Sequence, residues 1–128
     1  MNKNLLILGA GQYGSVIKGI AESMECFEKI DFLDDTFGSG ETEGNYHEQS
    51  IGKLADYEKF IFEYAYAICS IGDAEVRKEW TEKLTAACYR IPVIVSPRAF
   101  VAKSVQVRYG TVIEPMAVIS ENTVIGIG

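Results

Sequence analysis

Apolar residues come in short runs separated by helical stripes through most of this chain. Asn4 to Leu8 is an apolar run ending in Gly9-Ala10-Gly11-Gln12-Tyr13-Gly14, after which Val16, Ile17, Ile20, Ala21 and Met24 recur at helical spacing. That order predicts a strand, a glycine turn and a helix. Ile30 to Leu33 predicts a second strand, stopped by Asp34-Asp35. Thr36 to Tyr46 contains three glycines and little apolar content, and predicts an irregular loop with His47 at its end. Lys53 to Ile61 carries Leu54, Tyr57, Phe60 and Ile61 at spacings of three and four, which suits a short helix. Tyr64 to Ser70 reads as a buried strand closed by Ile71-Gly72-Asp73. Asp73 is a candidate N-cap for a helix whose buried stripe is Val76, Trp80, Leu84 and Ala87, and Val93 to Val95 reads as the last strand of this half.

Short apolar strands alternating with amphipathic helices predict an α/β fold, a Rossmann-like doubly wound parallel sheet over residues 1–95. From Val95 onward the period changes. An aliphatic residue stands at every sixth position: Val95, Val101, Val107, Ile113, Ile119 and Ile125. Two residues before each of the last five stands a small or β-branched one: Ala99, Val105, Thr111, Ala117 and Thr123. A period of six fits neither a helix nor a simple strand. It fits a triangular parallel β-helix whose sides are hexapeptides, at about eighteen residues to a coil, so residues 96–128 are expected to begin such a helix.

At 128 residues the chain accommodates one domain, or one domain with a small appendage. Its apolar runs are too short to span a bilayer, and Leu5 to Leu8 after Lys3 are too few for a secretory h-region, so no membrane association is expected. Cys26, Cys69 and Cys88 are odd in number and show no C-x-x-C spacing, which points away from a disulfide framework or a metal site. A cytoplasmic setting follows, with all three read as small core residues. The net charge of −6, without a cluster of Lys and Arg, excludes a nucleic-acid partner. An anionic ligand would have to be held locally, by backbone amides.

Gly9, Gly11 and Gly14 supply G-x-G-x-x-G directly after a strand and at the start of a helix, where a bare backbone can approach a phosphate and the helix N-terminus favours its charge. Asp34 lies twenty residues after Gly14, at the end of the second strand, where an acid can bond ribose hydroxyls or a base N–H. Residues 1–95 hold only about one and a half of the βαβαβ halves that a dinucleotide site spans, so a single nucleotide fits better than NAD. Gly72 and Asp73 should face the glycine loop across the topological switch point. The same residues also admit a packing reading, with the glycines serving a tight turn, Asp34 and Asp35 as turn residues and Asp73 as a helix cap. His47 belongs to the polar loop and is read as an exposed residue rather than a general base, so no catalytic residue is assigned.

The glycine loop, Phe32-Leu33-Asp34-Asp35, Ile71-Gly72-Asp73 and the hexapeptide tail together resemble the sialic acid O-acetyltransferase (NeuD) family, which includes the PglD-like UDP-amino-sugar N-acetyltransferases. The resemblance implies a left-handed β-helix, a homotrimer, a UDP-sugar held by the N-terminal domain, and acetyl-CoA bound between neighbouring β-helices. It implies phosphate contacts at Gly9, Gly11 and Gly14, uridine contacts at Asp34 and Asp35, and sugar-side contacts at Gly72 and Asp73. Family members commonly carry a small residue, glycine and histidine within the glycine loop, where Gln12 and Tyr13 occupy the variable positions here. Their catalytic histidine belongs to coils later than Gly128, so the 128-residue chain alone is expected to bind the sugar nucleotide without transferring acetyl. A non-catalytic NAD or CoA sensor and a trimerising interaction module are the alternatives.

Overall fold

The computed structural model describes residues 1–38 and 49–119, together with the backbone of 124 and 125. Its centre is a four-stranded sheet in the order β3-β2-β1-β4. β1 (Asn4–Leu8) pairs in parallel with β2 (Lys29–Leu33) on one side and β4 (Tyr66–Cys69) on the other, and β3 (Ser50–Gly52) extends β2. The strand at Tyr64–Ser70 therefore lies on the opposite side of β1 from β2, as the alternation predicts. β1 has no polar face because both faces are covered, and Leu5, Leu6, Ile7 and Leu8 are all fully buried. Leu5 and Ile7 point into one cluster with Ile17, Ile20 and Ala21 of α1 (Gln12–Ser23), while Leu6 and Leu8 point into another with Leu84 of α2 (Ala74–Ala86). Each such side chain stabilises the fold by about 1.5–3 kcal/mol relative to an exposed one.

Two elements differ from the sequence pattern. β3 is unanticipated, being three residues long and ending in glycine, too short for a period to register. The helix expected over Lys53–Ile61 is a 3₁₀ helix, Leu54–Phe60, started where the Lys53 N–H donates to Asp56 Oδ2 at 3.0 Å. In α2 the buried positions are Thr81 and Leu84, while Trp80 is half-buried, edge-on to Tyr57 at 5.3 Å between ring centroids. In α1, Val16 lies outside the buried stripe.

The tail winds into the opening coil of a parallel β-helix, built from two-residue strands. β5 (Ile94–Val95) pairs with β8 (Val112–Ile113), β6 (Phe100–Val101) with β9 (Val118–Ile119), and β7 (Gln106–Val107) with β10 (Val124–Ile125). Every partner lies eighteen residues along the chain, three hexapeptides per coil. The strand expected at Val93–Val95 is thus not the last member of the central sheet; Ile94–Val95 pairs only into the coil. The reason is in Ile94, whose side chain is fully buried in the α1-side cluster, with Val112 of the next coil packed against the same cluster. The first side of the β-helix lies flat on α1, and one apolar core runs through both parts.

Cys69 is buried in β4 as expected, but Cys26 and Cys88 are exposed, correcting their assignment to the core. Cys88 follows the end of α2 in the left-handed region (φ 73°), with its N–H donating to Thr85 O, so its side chain turns away from the sheet. No helix among the described residues is long and apolar enough to cross a membrane, and none of their His, Cys, Asp and Glu side chains group as a metal site.

Candidate functional site

The loops that leave the carboxyl ends of β1 and β4 lie side by side, because Leu8 and Cys69 are register partners. Ser70 fastens one to the other. Its N–H donates to Leu8 O at 2.9 Å, and its hydroxyl donates to Gly9 O at 2.8 Å. Gly9 sits at φ 113°, which side chains rarely adopt, and a Cβ there would lie 2.4 Å from Ser70 Oγ. A Cβ on Gly14 would lie 2.1 Å from Gly9 O, so this glycine lets the first turn of α1 close onto the loop. Gly11 and Gly72 differ, since a Cβ on either would meet nothing within 4 Å. Packing accounts for Gly9 and Gly14, while the bare backbone at Gly11 and Gly72 faces open space.

Two helices begin at this edge and are capped differently there. Asp73 caps α2, its Oδ1 accepting from Glu75 N at 2.9 Å and Val76 N at 3.1 Å. α1 has Gly11 as its N-cap, no side-chain cap and no acid in its first turn. Its leading N–H groups, and the positive end of its dipole, face the same open space as Gly11. Such a terminus is suited to an anion.

Asp34 stands at the end of β2 beside this loop. Its Oδ2 accepts from Ala10 N at 2.8 Å, and its Oδ1 accepts from the N–H and hydroxyl of Thr36 at 2.9 and 2.7 Å. The carboxylate therefore holds the glycine loop in shape. Asp35 Oδ1 accepts from Leu54 N at 3.2 Å, tying the end of β2 to the 3₁₀ helix. His47 lies outside the described residues.

Two side chains, Arg77 and Glu114, are not apparent from sequence reasoning. Arg77, one turn into α2, donates from Nη1 to Gly72 O at 3.1 Å and Ile71 O at 3.3 Å. Tyr13, in the glycine loop, has its hydroxyl pKa raised by burial and by Glu114 of the β8–β9 turn, with Arg77 acting in the opposite direction. Arg77 stands four residues after the capping Asp73, on the same side of the helix, and that spacing was the available signal for it. Burial raises the Cys69 thiol pKa, which suits a core residue rather than a nucleophile. A cavity of about 580 Å³ lies between α2 and Tyr109 and shares Arg77 with the site, but it does not include the glycine loop.

The profile of the PglD N-terminal domain family matches residues 4–84. The chain belongs to this family. Among solved structures, this PglD-family chain is similar to the acetyltransferase domain of PglB from Neisseria gonorrhoeae FA1090, at 28% identity and a TM-score of 0.86 over 99% of this chain and 60% of that one. The same domain in complex with acetyl coenzyme A matches at 26% identity and a TM-score of 0.80, over 98% of this chain and 59% of that one. A mutant of perosamine N-acetyltransferase from Caulobacter crescentus, in complex with CoA and GDP-perosamine, shares the fold at 17% identity and a TM-score of 0.84, over 97% and 57% of the two chains. The PglD-family chain therefore spans about 60% of the length of the PglB domains. No curated protein matches it in sequence.

Proposed function

We propose that this chain is the sugar-nucleotide-binding part of an acetyl-CoA-dependent sugar acetyltransferase, and that its ligand is a UDP-sugar seated across the carboxyl ends of β1 and β4. The observation that carries this reading is the uncapped N-terminus of α1 beside two glycines, Gly11 and Gly72, whose missing side chains no packing contact explains. The diphosphate lies over Gly11 and the first N–H groups of α1, with Gly9 and Gly14 shaping the loop beneath it. Uridine lies toward Asp34 and Asp35, where Asp34 acts chiefly by fixing Ala10 and the second oxygen of Asp35 faces the base or ribose. The sugar extends past Gly72 and Asp73 toward Tyr13. Family membership and the likeness to the PglB domains support this placement.

Acetyl-CoA supplies the acetyl group to an amine or hydroxyl of the bound sugar. No residue is assigned to acetyl-CoA here. In this reading the protein is a cytoplasmic homotrimer, with neighbouring β-helices completing the acetyl-CoA cleft.

Calorimetric titration with UDP, GDP, NAD(H) and CoA tests the reading. UDP should bind more tightly than NAD(H). Equal or tighter NAD(H) binding would overturn it, and binding of CoA alone would favour a sensor.

A further inference from the structure

The structure assigns Arg77 as the charged anchor of the nucleotide diphosphate at the Gly11–Gly72 edge. This rests on the nucleotide reading above and adds a residue to it. Arg77 is a half-buried cation in the first turn of α2, bonded to the turn that follows β4, the strand paired with β1. One nitrogen, Nη1, is held by two carbonyls of the turn, Ile71 O and Gly72 O. A guanidinium carries five N–H donors in a rigid fork, and Nε and Nη2 make no hydrogen bond among the described residues. Its position is therefore fixed by the turn while most of its donors stay open.

Three further observations bear on what those donors meet. The backbone beside them, at Gly72, leaves space that a Cβ would not fill. The Tyr13 hydroxyl in the first turn of α1 has its pKa raised by burial and by Glu114, and Arg77 opposes that rise, so the guanidinium charge acts on the start of α1 as well as on its own helix. The N-terminus of α1, on the other side of that space, is uncapped. A diphosphate between α1 and Arg77 would have backbone N–H groups on one flank and a bidentate cation on the other. The net charge of −6, with no basic cluster, would repel a free dianion, so a single fixed cation at the site has a large share in retaining it.

The test separates charge recognition from a merely structural role. UDP and uridine are titrated into the full chain, into Arg77→Met and Arg77→Lys, and into Lys78→Met, which removes an exposed neighbouring charge. In Arg77→Met, UDP affinity should fall about tenfold or more while uridine affinity changes less than about twofold. Arg77→Lys should recover part of the loss, and Lys78→Met should bind UDP as the unaltered chain does. If both Arg77 variants bind UDP as well as the unaltered chain, or lose UDP and uridine equally, Arg77 only braces the turn and the assignment is wrong. If the unaltered chain binds neither ligand, the nucleotide reading fails, and this assignment with it.

Discussion

The backbone N–H of Ala10 donates to the carboxylate of Asp34 at 2.8 Å, across twenty-four residues of sequence. The acid that ends β2 thus determines the shape of the loop that ends β1. Removing it leaves a half-buried loop N–H without its partner. Asp34→Ala should lower stability by about 1–3 kcal/mol in urea unfolding and weaken UDP binding indirectly, by loosening the loop. Asp34→Asn, which keeps an acceptor oxygen, should lose less of both. Equal stability of Asp34→Ala and the unaltered chain would show that the loop holds its shape without this carboxylate.

The three glycines of the loop should respond differently to a methyl group. Gly11→Ala meets open space at an ordinary φ of −78° and should keep the thermal midpoint within a few degrees while losing nucleotide affinity. Gly14→Ala places a carbon 2.1 Å from a backbone oxygen, and should cost about 1–3 kcal/mol or more of stability, since backbone cannot yield as a flexible side chain can. A Gly11→Ala variant that unfolds as readily as Gly14→Ala would mean that Gly11, too, is a packing glycine.

Stability should decline at high pH through two buried tyrosines. Burial pushes the Tyr89 hydroxyl up to about 12. Burial and the hydrogen bond to Asp31 push that of Tyr64 up further. Both side chains ionise more easily in the unfolded chain, at the ordinary value of 10.0. Their contribution is therefore fully present below pH 10.0 and is lost as the pH rises toward 12 and beyond. Urea midpoints measured between pH 9 and 12 should fall, and the fall should be shallower in Tyr89→Phe. An identical slope in that variant would exclude Tyr89 as a source.

Ile94 joins the coil to α1 and is fully buried. Ile94→Ala should cost about 2–5 kcal/mol, with loss of hydrogen-exchange protection spreading to Val112 as well as to α1. If protection falls only in the coil, the two parts do not share a core.

Much of the fold was legible because its three periods are distinct. Leu5 to Leu8 declare a strand covered on both faces, Ile17 and Ile20 declare a helix, and Val95 to Ile125 declare hexapeptide sides whose register the ladders reproduce. Ile94 was misplaced because a buried isoleucine beside a period-six valine looks the same whether it completes the sheet or docks the coil upon it. β3 was invisible at three residues. For the site, the pattern nominated the loop but could not divide its glycines, since only three-dimensional neighbours distinguish Gly14, which faces a backbone oxygen, from Gly11, which faces nothing. Arg77 was hidden for a related reason. Its contacts are to backbone carbonyls, which every sequence has.

The seating of Ile94 and Val112 on α1 turns the coil into a graduated rod with its zero mark on the helix that follows the glycine loop. Six residues turn a side chain to the next face, and eighteen raise it one rung, about 4.8 Å. Because the rod cannot pivot without exposing Ile94, the height and facing of any coil residue relative to Gly11 follow from counting alone. A single residue inserted after Val112 would rotate everything beyond it out of alignment while leaving the seating of Ile94 and Val112 on α1 in place.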